Sequence, residues 1–285
     1  DLGFRYEIVD NILSIYKTSS IEQASIHLTK KSVGASLNAL FAGMSLNHFE
    51  LHNGLFEPEG QDVIRFLQKI GYHIQYQDNK IQYTKTQLEF KLVKHTIIPD
   101  RMEAMTYAVL GLLKGEVNIK KVNPSDMMYP LDLLKTAGYQ ISYTENEITA
   151  KKSYGKPMQI NTDIYPGFPT DLQSVFGVLF VNTIGVSTMK ETIFENRMQI
   201  YKDLKESGVD CTIKQNVATV RGTNAILSKN YTACDLRHGA AVLILALMGK
   251  QKSKISNFEY VLRGYDDIIH KVKSLGGKIE VVEEV

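Results

Sequence analysis

Four arginines stand at or beside the predicted starts of helices, where a positive charge is unfavourable. They are Arg101, Arg197, Arg237 and Arg263. A helix amino terminus carries about half a positive charge, so a cation there typically costs a few tenths to about 1 kcal/mol. Free N–H groups at a helix start and the guanidinium fork of arginine both bind anions. The repeated placement predicts a cleft for a polyanionic ligand. The alternative is that each arginine pairs with a neighbouring surface carboxylate.

Two aspartates, Asp171 and Asp235, lie among these arginines in the sequence. Each by itself could cap a helix, since an aspartate side chain accepts hydrogen bonds from the first backbone N–H groups. Beside arginines in a cleft, an aspartate would stay ionised and could orient or deprotonate a hydroxyl group. The residues alone thus predict an anion-binding cleft with carboxylates and leave the reaction open.

The elements that must position these side chains recur along the chain. A glycine followed by two alternating apolar runs around a polar turn occurs five times, at Gly3, Gly71, Gly138, Gly208 and Gly276. The steps are 68, 67, 70 and 68 residues. Such a period indicates one supersecondary unit copied in tandem. Gly71 is predicted to end a helix in the left-handed conformation, before a hairpin.

Each complete copy reads as a βαβαββ unit, which predicts an α/β fold. Residues 240–248 are apolar nearly all round and predict a helix buried at the centre of a domain, too short to span a bilayer. We expect two domains. Residues 1–95 would be a partial first domain, with an end hairpin and one full copy, and residues 96–285 a complete domain of three copies.

Composition excludes several classes of function. The 285 residues carry a formal net charge of +2 with interspersed signs, so we expect neither nucleic-acid binding nor membrane insertion. No Cys/His cluster has metal-ligand spacing, and no metal or cofactor is predicted. The two cysteines, Cys211 and Cys234, are interpreted as buried structural thiols in a reducing cytoplasm.

Four phrases of the sequence closely resemble the UDP-N-acetylglucosamine enolpyruvyl transferases (1-carboxyvinyltransferases). These phrases are Tyr165-Pro-Gly-Phe-Pro-Thr-Asp-Leu-Gln173, Glu191-Thr-Ile-Phe-Glu-Asn-Arg197, Asp235-Leu-Arg237 and Arg263-Gly-Tyr-Asp266. Residues 32–35 and 99–103 fit the same family in order and spacing. The resemblance covers the whole chain and is strongest after residue 160. EPSP synthase shares the repeat fold but is a poorer match, because it lacks these phrases.

The resemblance implies an inside-out α/β barrel built from six such units in two domains, with the active site between the domains. It implies a transferase of the bacterial cytoplasm that moves the enolpyruvyl group of phosphoenolpyruvate onto the 3-hydroxyl of UDP-N-acetylglucosamine. Phosphate is released by addition followed by elimination. The reaction belongs to peptidoglycan synthesis, and so to cell-wall biogenesis and cell shape. Both substrates are anions.

The resemblance also assigns roles to individual positions. Asp171 would bind the sugar hydroxyl and is a candidate base, and Asp235 would lie near the reacting carbons. Arg197, Arg237 and Arg263 would surround phosphoenolpyruvate. The remaining predicted substrate-binding positions are Lys30, Ser32, Val33 and Gly34 for the uridine diphosphate, Ile193 and Phe194 for its contacts in the other domain, and Gly264 beside Arg263. Arg101 resembles a family position of structural character.

The family also has features that this sequence does not show. Its amino-terminal lysine-asparagine pair and its acid-bearing loop belong to units that these residues do not include. Leu262 and His238 replace an aspartate and a small residue, and Gly60-Gln61 interrupts an acidic run. We therefore expect these 285 residues alone to be inactive. The alternatives are a non-catalytic relative that binds a UDP-sugar or a partner chain, and a transferase for another hydroxylated anion.

Overall fold

The computed structural model describes residues 2–86, 92–223 and 225–282. The chain divides into two compact units, Asp1–Ile98 and Pro99–Val285. Within the described ranges, the structure contains no helix with the length and apolar character needed to cross a membrane.

The first unit contains a separate hairpin and one complete βαβαββ copy. The hairpin pairs β1 (Phe4–Val9) with β2 (Ile12–Lys17), and every residue of both strands is exposed. The copy that follows consists of β3 (Gln23–His27), α1 (Val33–Gly43), β4 (His48–His52), α2 (Pro58–Lys69), β5 (His73–Gln77) and β6 (Lys80–Thr84). Its sheet has the order β3-β4-β6-β5, with β3 parallel to β4 and the other pairs antiparallel.

The second unit contains three further copies of the repeat. The first of them consists of α3 (Arg101–Lys114), β7 (Glu116–Lys120), α4 (Met128–Thr136), β8 (Gln140–Tyr143) and β9 (Glu147–Lys151). The next consists of β10 (Gln159–Asn161), α5 (Gln173–Leu179), β11 (Val186–Lys190), α6 (Gln199–Glu206), β12 (Cys211–Lys214) and β13 (Val217–Arg221). The last consists of β14 (Tyr231–Thr232), α7 (Leu236–Met248), β15 (Ile255–Ser256), α8 (Glu259–Leu262) and α9 (Ile268–Ser274).

One sheet of the second unit repeats the four-stranded pairing seen in the first unit, whereas β7-β9-β8 has three antiparallel strands and β14-β15 is a parallel pair. The sheet β10-β11-β13-β12 has a parallel first pair and antiparallel remaining pairs, as in β3-β4-β6-β5. Its register sets Ile160 beside Met189 and Met189 beside Ala218. All three side chains are buried, so this row of the sheet faces the core while the alternating polar residues face outward. The tandem mixed α/β architecture predicted from the period is confirmed.

Three helices form the interior of the second unit. Helices α3, α5 and α7 contact one another pairwise, and the large majority of the residues of α3 and all those of α5 are buried. Residues 238–245 of α7 are also buried, which confirms the buried helix predicted from residues 240–248. Helices that are apolar on most sides need cover on most sides, and here they cover one another.

The five repeated glycines all have positive φ angles, from 76° at Gly3 to 113° at Gly71. Four of them follow a helix, and glycine enters this left-handed conformation without the steric cost that a Cβ imposes. The hairpin predicted after Gly276 is absent, because residues 277–282 form no strand. A strand needs a partner for its backbone groups, and the run at 278–282 pairs with none of the described residues.

Candidate functional site

Asp171 lies where arginines from two copies of the repeat meet. It follows Thr170 in the one-turn 3₁₀ helix that leads into α5. Its Oδ1 accepts a hydrogen bond from Nη1 of Arg197 at 2.8 Å, and its Oδ2 accepts one from Nη2 of Arg237 at 2.6 Å. The exposed fractions of the three side chains lie between 18% and 35%. These three residues, the Asp171 cluster, are therefore partly buried and open to solvent.

Electrostatics keep the Asp171 carboxyl ionised at neutral pH. Burial by itself would raise the pKa of Asp171, but hydrogen bonds and positive charge from Arg237 and Arg197 outweigh it and hold the pKa below its usual range. The hydrogen bond to Asp171 in turn raises the pKa of Arg237. Asp171 makes no capping hydrogen bond to α5. Helix capping, the alternative role for Asp171, is therefore wrong.

The pairing with Asp171 shows how the charges of Arg197 and Arg237 are compensated within the protein. Arg197 and Arg237 do converge, as predicted, but a carboxylate of the protein offsets part of their charge. An external anion is thus not required to make their placement tolerable, and that part of the prediction is wrong. The three side chains still carry a net charge of +1, and their hydrogen bonds with Thr170 and Asp171 use one nitrogen of each guanidinium. Since a guanidinium has five N–H donors, an anionic ligand can still bind there.

Glu191 organises the loop beside the cluster, and the sequence analysis missed its role. Its side chain is 2% exposed. Its Oε1 accepts hydrogen bonds from the Thr162 hydroxyl and from the backbone N–H groups of Ile193 and Phe194, at 2.8–3.1 Å. Its Oε2 accepts one from the Thr170 hydroxyl at 2.8 Å. Because a buried charge must be paired, these hydrogen bonds hold the Glu191 carboxylate in place. Its burial and its partner Thr162, 29 positions away, could not be inferred from the sequence.

Thr170 connects Glu191 to Arg197 through hydrogen bonds. The Thr170 hydroxyl, which donates to Glu191, accepts a hydrogen bond from Nη1 of Arg197 at 2.9 Å. The Arg197 guanidinium also stacks on the ring of Phe194, 4.2 Å from its centroid. Arg197 is therefore held by its contacts with Thr170, Asp171 and Phe194. The Thr170 hydroxyl makes no helix-capping hydrogen bond, because it is engaged by Glu191 and Arg197.

Ile193 and Phe194 are exposed, at 38% and 49%. Their backbones are tied to Glu191, so the two apolar side chains project from a fixed turn into solvent. Exposed apolar side chains on a rigid loop offer a surface for the flat or apolar part of a ligand. The structure leaves their predicted role in binding the nucleotide sugar as a prediction.

Asp235 caps the helix that carries Arg237. Its Oδ1 accepts a hydrogen bond from the backbone N–H of His238 at 2.8 Å, and its backbone is extended, as expected for a residue that precedes a helix. Arg237 follows as the second helical residue, and the negative charge of Asp235 contributes to its raised pKa. The capping role considered for Asp235 is confirmed by this contact. Its predicted place near the reacting carbons stays a prediction.

Arg263 occupies a different position from the one predicted. It is the carboxyl-terminal cap of the short helix α8, whereas the next helix, α9, begins at Ile268. A helix carboxyl terminus favours a cation, so no unfavourable charge needs compensation here. Arg263 is exposed and its guanidinium lies 5.5 Å from the ring centroid of Tyr260. The following residue, Gly264, lies against Leu236, and a Cβ on it would come within 2.5 Å of the Leu236 side chain.

Arg101 is buried, at 4% exposure, and its guanidinium lies 5.5 Å from the ring centroid of Tyr165. It is the first residue of α3, and Asp100 caps that helix by accepting hydrogen bonds from the N–H groups of Met102 and Glu103. Arg101 thus packs inside the second unit.

The two cysteines lie in different environments. Cys211 is buried, and burial raises the pKa of its thiol to about 11. Cys234 is exposed, so its interpretation as a buried thiol is wrong. It lies in the turn between β14 and α7, where Asp235 bends the chain into the helix.

In the first unit, the predicted nucleotide-binding stretch surrounds the start of α1. The Ser32 hydroxyl caps the helix by accepting a hydrogen bond from the backbone N–H of Ala35 at 3.3 Å. Lys30, Ser32 and Gly34 are exposed and Val33 is partly buried. A Cβ on Gly34 would meet no atom within 4 Å. A helix start with its N–H groups near an exposed lysine has the chemistry of a phosphate site, and that role stays a prediction.

A second ionic cluster lies behind Arg237. His238 donates from Nε2 to Oδ2 of Asp203 at 2.8 Å, and Nζ of Lys229 donates to Oδ1 of Asp203 at 3.3 Å. His238 and Asp203 are 3% and 9% exposed. We call these three residues the Asp203 cluster. The sequence analysis noted His238 only as a replacement for a small residue, and helical spacing gives no sign of its partner in α6.

The chain matches the model of the EPSP synthase (3-phosphoshikimate 1-carboxyvinyltransferase) family over residues 5–272. It is 32% identical over 282 residues to a UDP-N-acetylglucosamine 1-carboxyvinyltransferase of Legionella pneumophila, covering 97% of this chain and 56% of that protein. It is also 32% identical to the protein of that name from Pelagibacter ubique, covering 98% of this chain and 68% of the relative. The chain thus spans a little more than half of the length of the first relative and about two thirds of the second.

Solved structures of enolpyruvyl transferases have the same fold. The enolpyruvyl transferase NikO from Streptomyces tendae superposes with a TM-score of 0.88 at 20% identity, over 98% of this chain and 70% of that one. EPSP synthase from Acinetobacter baumannii gives a TM-score of 0.74 at 17% identity, over 99% of this chain and 70% of that one. The repeat, the sheet pairing and the extent of the sequence match agree, and the chain belongs to the EPSP synthase family of enolpyruvyl (1-carboxyvinyl) transferases.

Proposed function

We propose that the protein represented by this chain transfers the enolpyruvyl group of phosphoenolpyruvate to the 3-hydroxyl of UDP-N-acetylglucosamine, with release of phosphate. The step would serve peptidoglycan synthesis in the cytoplasm. The observation that carries the proposal is the Asp171 cluster, in which a carboxylate and two guanidinium groups share one solvent-accessible place. The chain that carries this cluster is 32% identical to proteins named for this reaction.

The arginines provide the means of holding the donor substrate. Phosphoenolpyruvate carries a carboxylate and a phosphate, and the planar guanidinium fork matches both groups. Arg197 is fixed by Thr170 and Phe194, and Arg237 by its place at the capped start of α7. Prepositioned donors lose little entropy when the ligand binds, which favours affinity and alignment.

Asp171 is the proposed proton acceptor. In the addition step, the sugar oxygen bonds to C2 of phosphoenolpyruvate, the hydroxyl proton passes to a base, and another proton is added at C3. In the elimination step, the bond from C2 to the phosphate oxygen breaks and C3 loses a proton, which leaves the enolpyruvyl ether. Asp171 would take the first of these protons. The acid that serves C3 is expected in the family's mobile loop, outside these residues.

The contacts of Asp171 suggest how it would be activated. With both arginines bound, its pKa lies below the usual range, and a weak base takes a proton poorly. An anionic substrate that engages Arg197 and Arg237 would draw their hydrogen bonds away from Asp171. The carboxylate would then lose the groups that lower its pKa while staying partly buried, and its basicity would rise. Donor binding and base activation are thus coupled in this proposal.

Ligand titrations of the chain test the proposed substrates. We expect UDP-N-acetylglucosamine and phosphoenolpyruvate each to raise the melting temperature, and shikimate 3-phosphate to leave it unchanged. At a ligand concentration of about 100 times Kd the stabilisation is about 2.7 kcal/mol, which corresponds to roughly 5–10 °C for a unit of this size. Arg237→Ala should abolish the shift with phosphoenolpyruvate. The matched control is Arg221→Ala, because Arg221 forms an exposed pair with Asp210 away from the cluster.

The outcomes separate the competing functions. A shift with shikimate 3-phosphate alone would favour a transferase for that acceptor, which is the activity for which the EPSP synthase (3-phosphoshikimate 1-carboxyvinyltransferase) family is named. A shift with the nucleotide sugar but none with phosphoenolpyruvate would favour a non-catalytic relative that binds a UDP-sugar. Phosphate release from both substrates by the 285 residues alone would contradict the expectation that they are inactive without further segments.

A further inference from the structure

The start of α7 is anchored on both sides of Arg237. On one side, Asp235 accepts a hydrogen bond from the backbone N–H of His238. On the other, Nδ1 of His238 accepts one from the backbone N–H of Cys234 at 3.3 Å. This is a reciprocal arrangement like the capping box, in which a side chain at the third helical position reaches back to the residues before the helix. Here a histidine takes the place that Glu or Gln usually occupies.

The two ring contacts define where the His238 proton lies. Because Nδ1 accepts a hydrogen from a backbone N–H, it must carry a lone pair and the ring proton must lie on Nε2. Nε2–H then donates to Oδ2 of Asp203. The positive partner of Asp203 is therefore Lys229, whose Nζ lies 3.3 Å from Oδ1, rather than a charged imidazole. Both hydrogen-bonding nitrogens of the buried ring are used.

The ring joins the two segments that supply the arginines. Asp203 lies in α6, which begins two residues after Arg197, while His238 follows Arg237 directly in α7. The bond from His238 to Asp203 thus connects α6 to the start of α7 on the buried side, while Asp171 connects Arg197 to Arg237 on the open side. Asp203 is also tied to Lys229, which contacts Glu206 at the end of α6.

We propose that His238 is a positioning residue, which holds the start of α7 where the Arg237 guanidinium meets Asp171. It does not touch substrate and acts through Arg237. The inference rests on the proposed function for its consequence on phosphoenolpyruvate binding, but its structural content concerns only Arg237 and Asp171. Replacement of the ring by a methyl group would leave the Cys234 N–H without its acceptor and would remove one hydrogen-bond donor from the buried Asp203 carboxylate.

The test compares His238→Ala, His238→Gln and the control His270→Ala, whose parent side chain is exposed on α9. The first readout is the pKa of the Asp171 carboxyl, followed by ¹³C NMR without any substrate. We expect His238→Ala to raise it, because Arg237 moves away. His238→Gln should restore it, because a glutamine amide can accept from Cys234 and donate to Asp203. The control should match the wild type.

The second readout is the Kd for phosphoenolpyruvate. We expect His238→Ala to weaken binding about tenfold, since a displacement of about 1 Å in a positioning group can cost more than that. His238→Gln should recover most of the loss. An unchanged Asp171 pKa together with an unchanged Kd in His238→Ala would overturn the proposal. If the wild type does not bind phosphoenolpyruvate, the proposed function fails while the Asp171 titration still decides the role of His238.

A third measurement needs no variant and covers the case in which His238→Ala fails to fold. The ¹⁵N shifts of the His238 ring in the wild type distinguish its tautomers. We expect a protonated Nε2 and an unprotonated Nδ1 at neutral pH. A charged ring or a proton on Nδ1 would break the contact with Cys234 and contradict the proposal.

Discussion

The Asp171 cluster and the Asp203 cluster link the same two segments of the chain in different surroundings. Asp171 bridges Arg197, just before α6, and Arg237, in the first turn of α7. Asp203 of α6 contacts His238, the next residue of α7. The Asp171 side chain is 28% exposed, whereas those of Asp203 and His238 are 9% and 3% exposed. One junction between the segments is open to solvent and the other is closed.

The difference in burial suits one cluster to ligand binding and the other to structural support of the helices. An ion pair in contact with water contributes little to stability, so a ligand can replace one partner at modest cost. A buried charge that loses its partner is strongly destabilising, so the buried cluster cannot exchange partners. The open cluster is therefore suited to receive an anion, and the closed cluster is suited to hold the helices that present it.

The largest effect is expected from breaking the closed cluster. Asp203→Ala would take the carboxylate acceptor from the buried His238 N–H and leave Lys229 with Glu206. We expect a loss of about 3–5 kcal/mol in the free energy of unfolding. Urea denaturation followed by circular dichroism measures it. Asp210→Ala is the control, because Asp210 is 69% exposed and pairs with the exposed Arg221. Its effect should stay within about 0.5 kcal/mol. Equal losses in the two variants would remove the contrast.

A smaller loss is expected from Gly239→Ala, which keeps every charge but shifts the shared helix. An added Cβ would come within 2.5 Å of Cγ2 of Val261, which is fully buried in α8. Overpacking of this kind typically costs about 1–3 kcal/mol. The same denaturation experiment measures it. Gly34→Ala is the control, since its Cβ would meet nothing within 4 Å. A Gly239→Ala variant as stable as the control would show that α7 and α8 can separate freely.

Removing the Asp171 charge tests whether the arginines of the solvent-exposed cluster can bind an external anion. Asp171→Asn changes the net charge of the three side chains from +1 to +2, which should tighten the binding of inorganic phosphate about tenfold, or about 1.4 kcal/mol. Isothermal titration at low ionic strength measures it. If Asp171 is the base, the same substitution should abolish turnover wherever the complete enzyme is assayed. Weaker phosphate binding in Asp171→Asn would mean that the carboxylate holds the arginines in place for the ligand.

The smallest expected effect is the change of the melting temperature at acidic pH. Burial opposes ionisation of both aspartates. Hydrogen bonds and positive charge from Arg237 and Arg197 nevertheless lower the pKa of the Asp171 carboxyl below its usual 3.8, and hydrogen bonds from His238 and Lys229 do the same for Asp203. A depressed folded pKa contributes stability that is present above the unfolded value and lost as pH falls through the folded value. The melting temperature should therefore fall below about pH 4, and by less in Asp171→Asn or Asp203→Asn than in the wild type. Asp210→Asn should follow the wild type. Parallel curves for all four proteins would contradict the assignment.

Much of the repeat could be predicted from the sequence because its signals are local. The left-handed glycines, the hairpins before residue 221 and the apolar helix at 240–248 each depend on neighbours within a few residues. The predicted hairpin after Gly276 failed because a strand depends on a partner, which the local pattern of residues 278–282 does not reveal.

The site could be predicted only in part for the same reason. Arg197, Arg237 and Asp171 were singled out by type and place, but Arg263 was set at a helix start when it caps a helix end. Asp171 could by itself have capped a helix, but it is engaged by Arg197 and Arg237 instead. Side chains that form hydrogen bonds with distant residues are withdrawn from the local roles that their spacing indicates.

Sequence by itself determined the period of the repeat, the order of its elements and the resemblance that the family match confirmed, because these follow from patterns repeated along the chain. Only the tertiary structure decided that Asp171 pairs with two arginines and that His238 reaches Asp203. Those contacts join residues 26–66 positions apart. Their strength depends on how much water the packed helices exclude, and that quantity is a property of the folded chain.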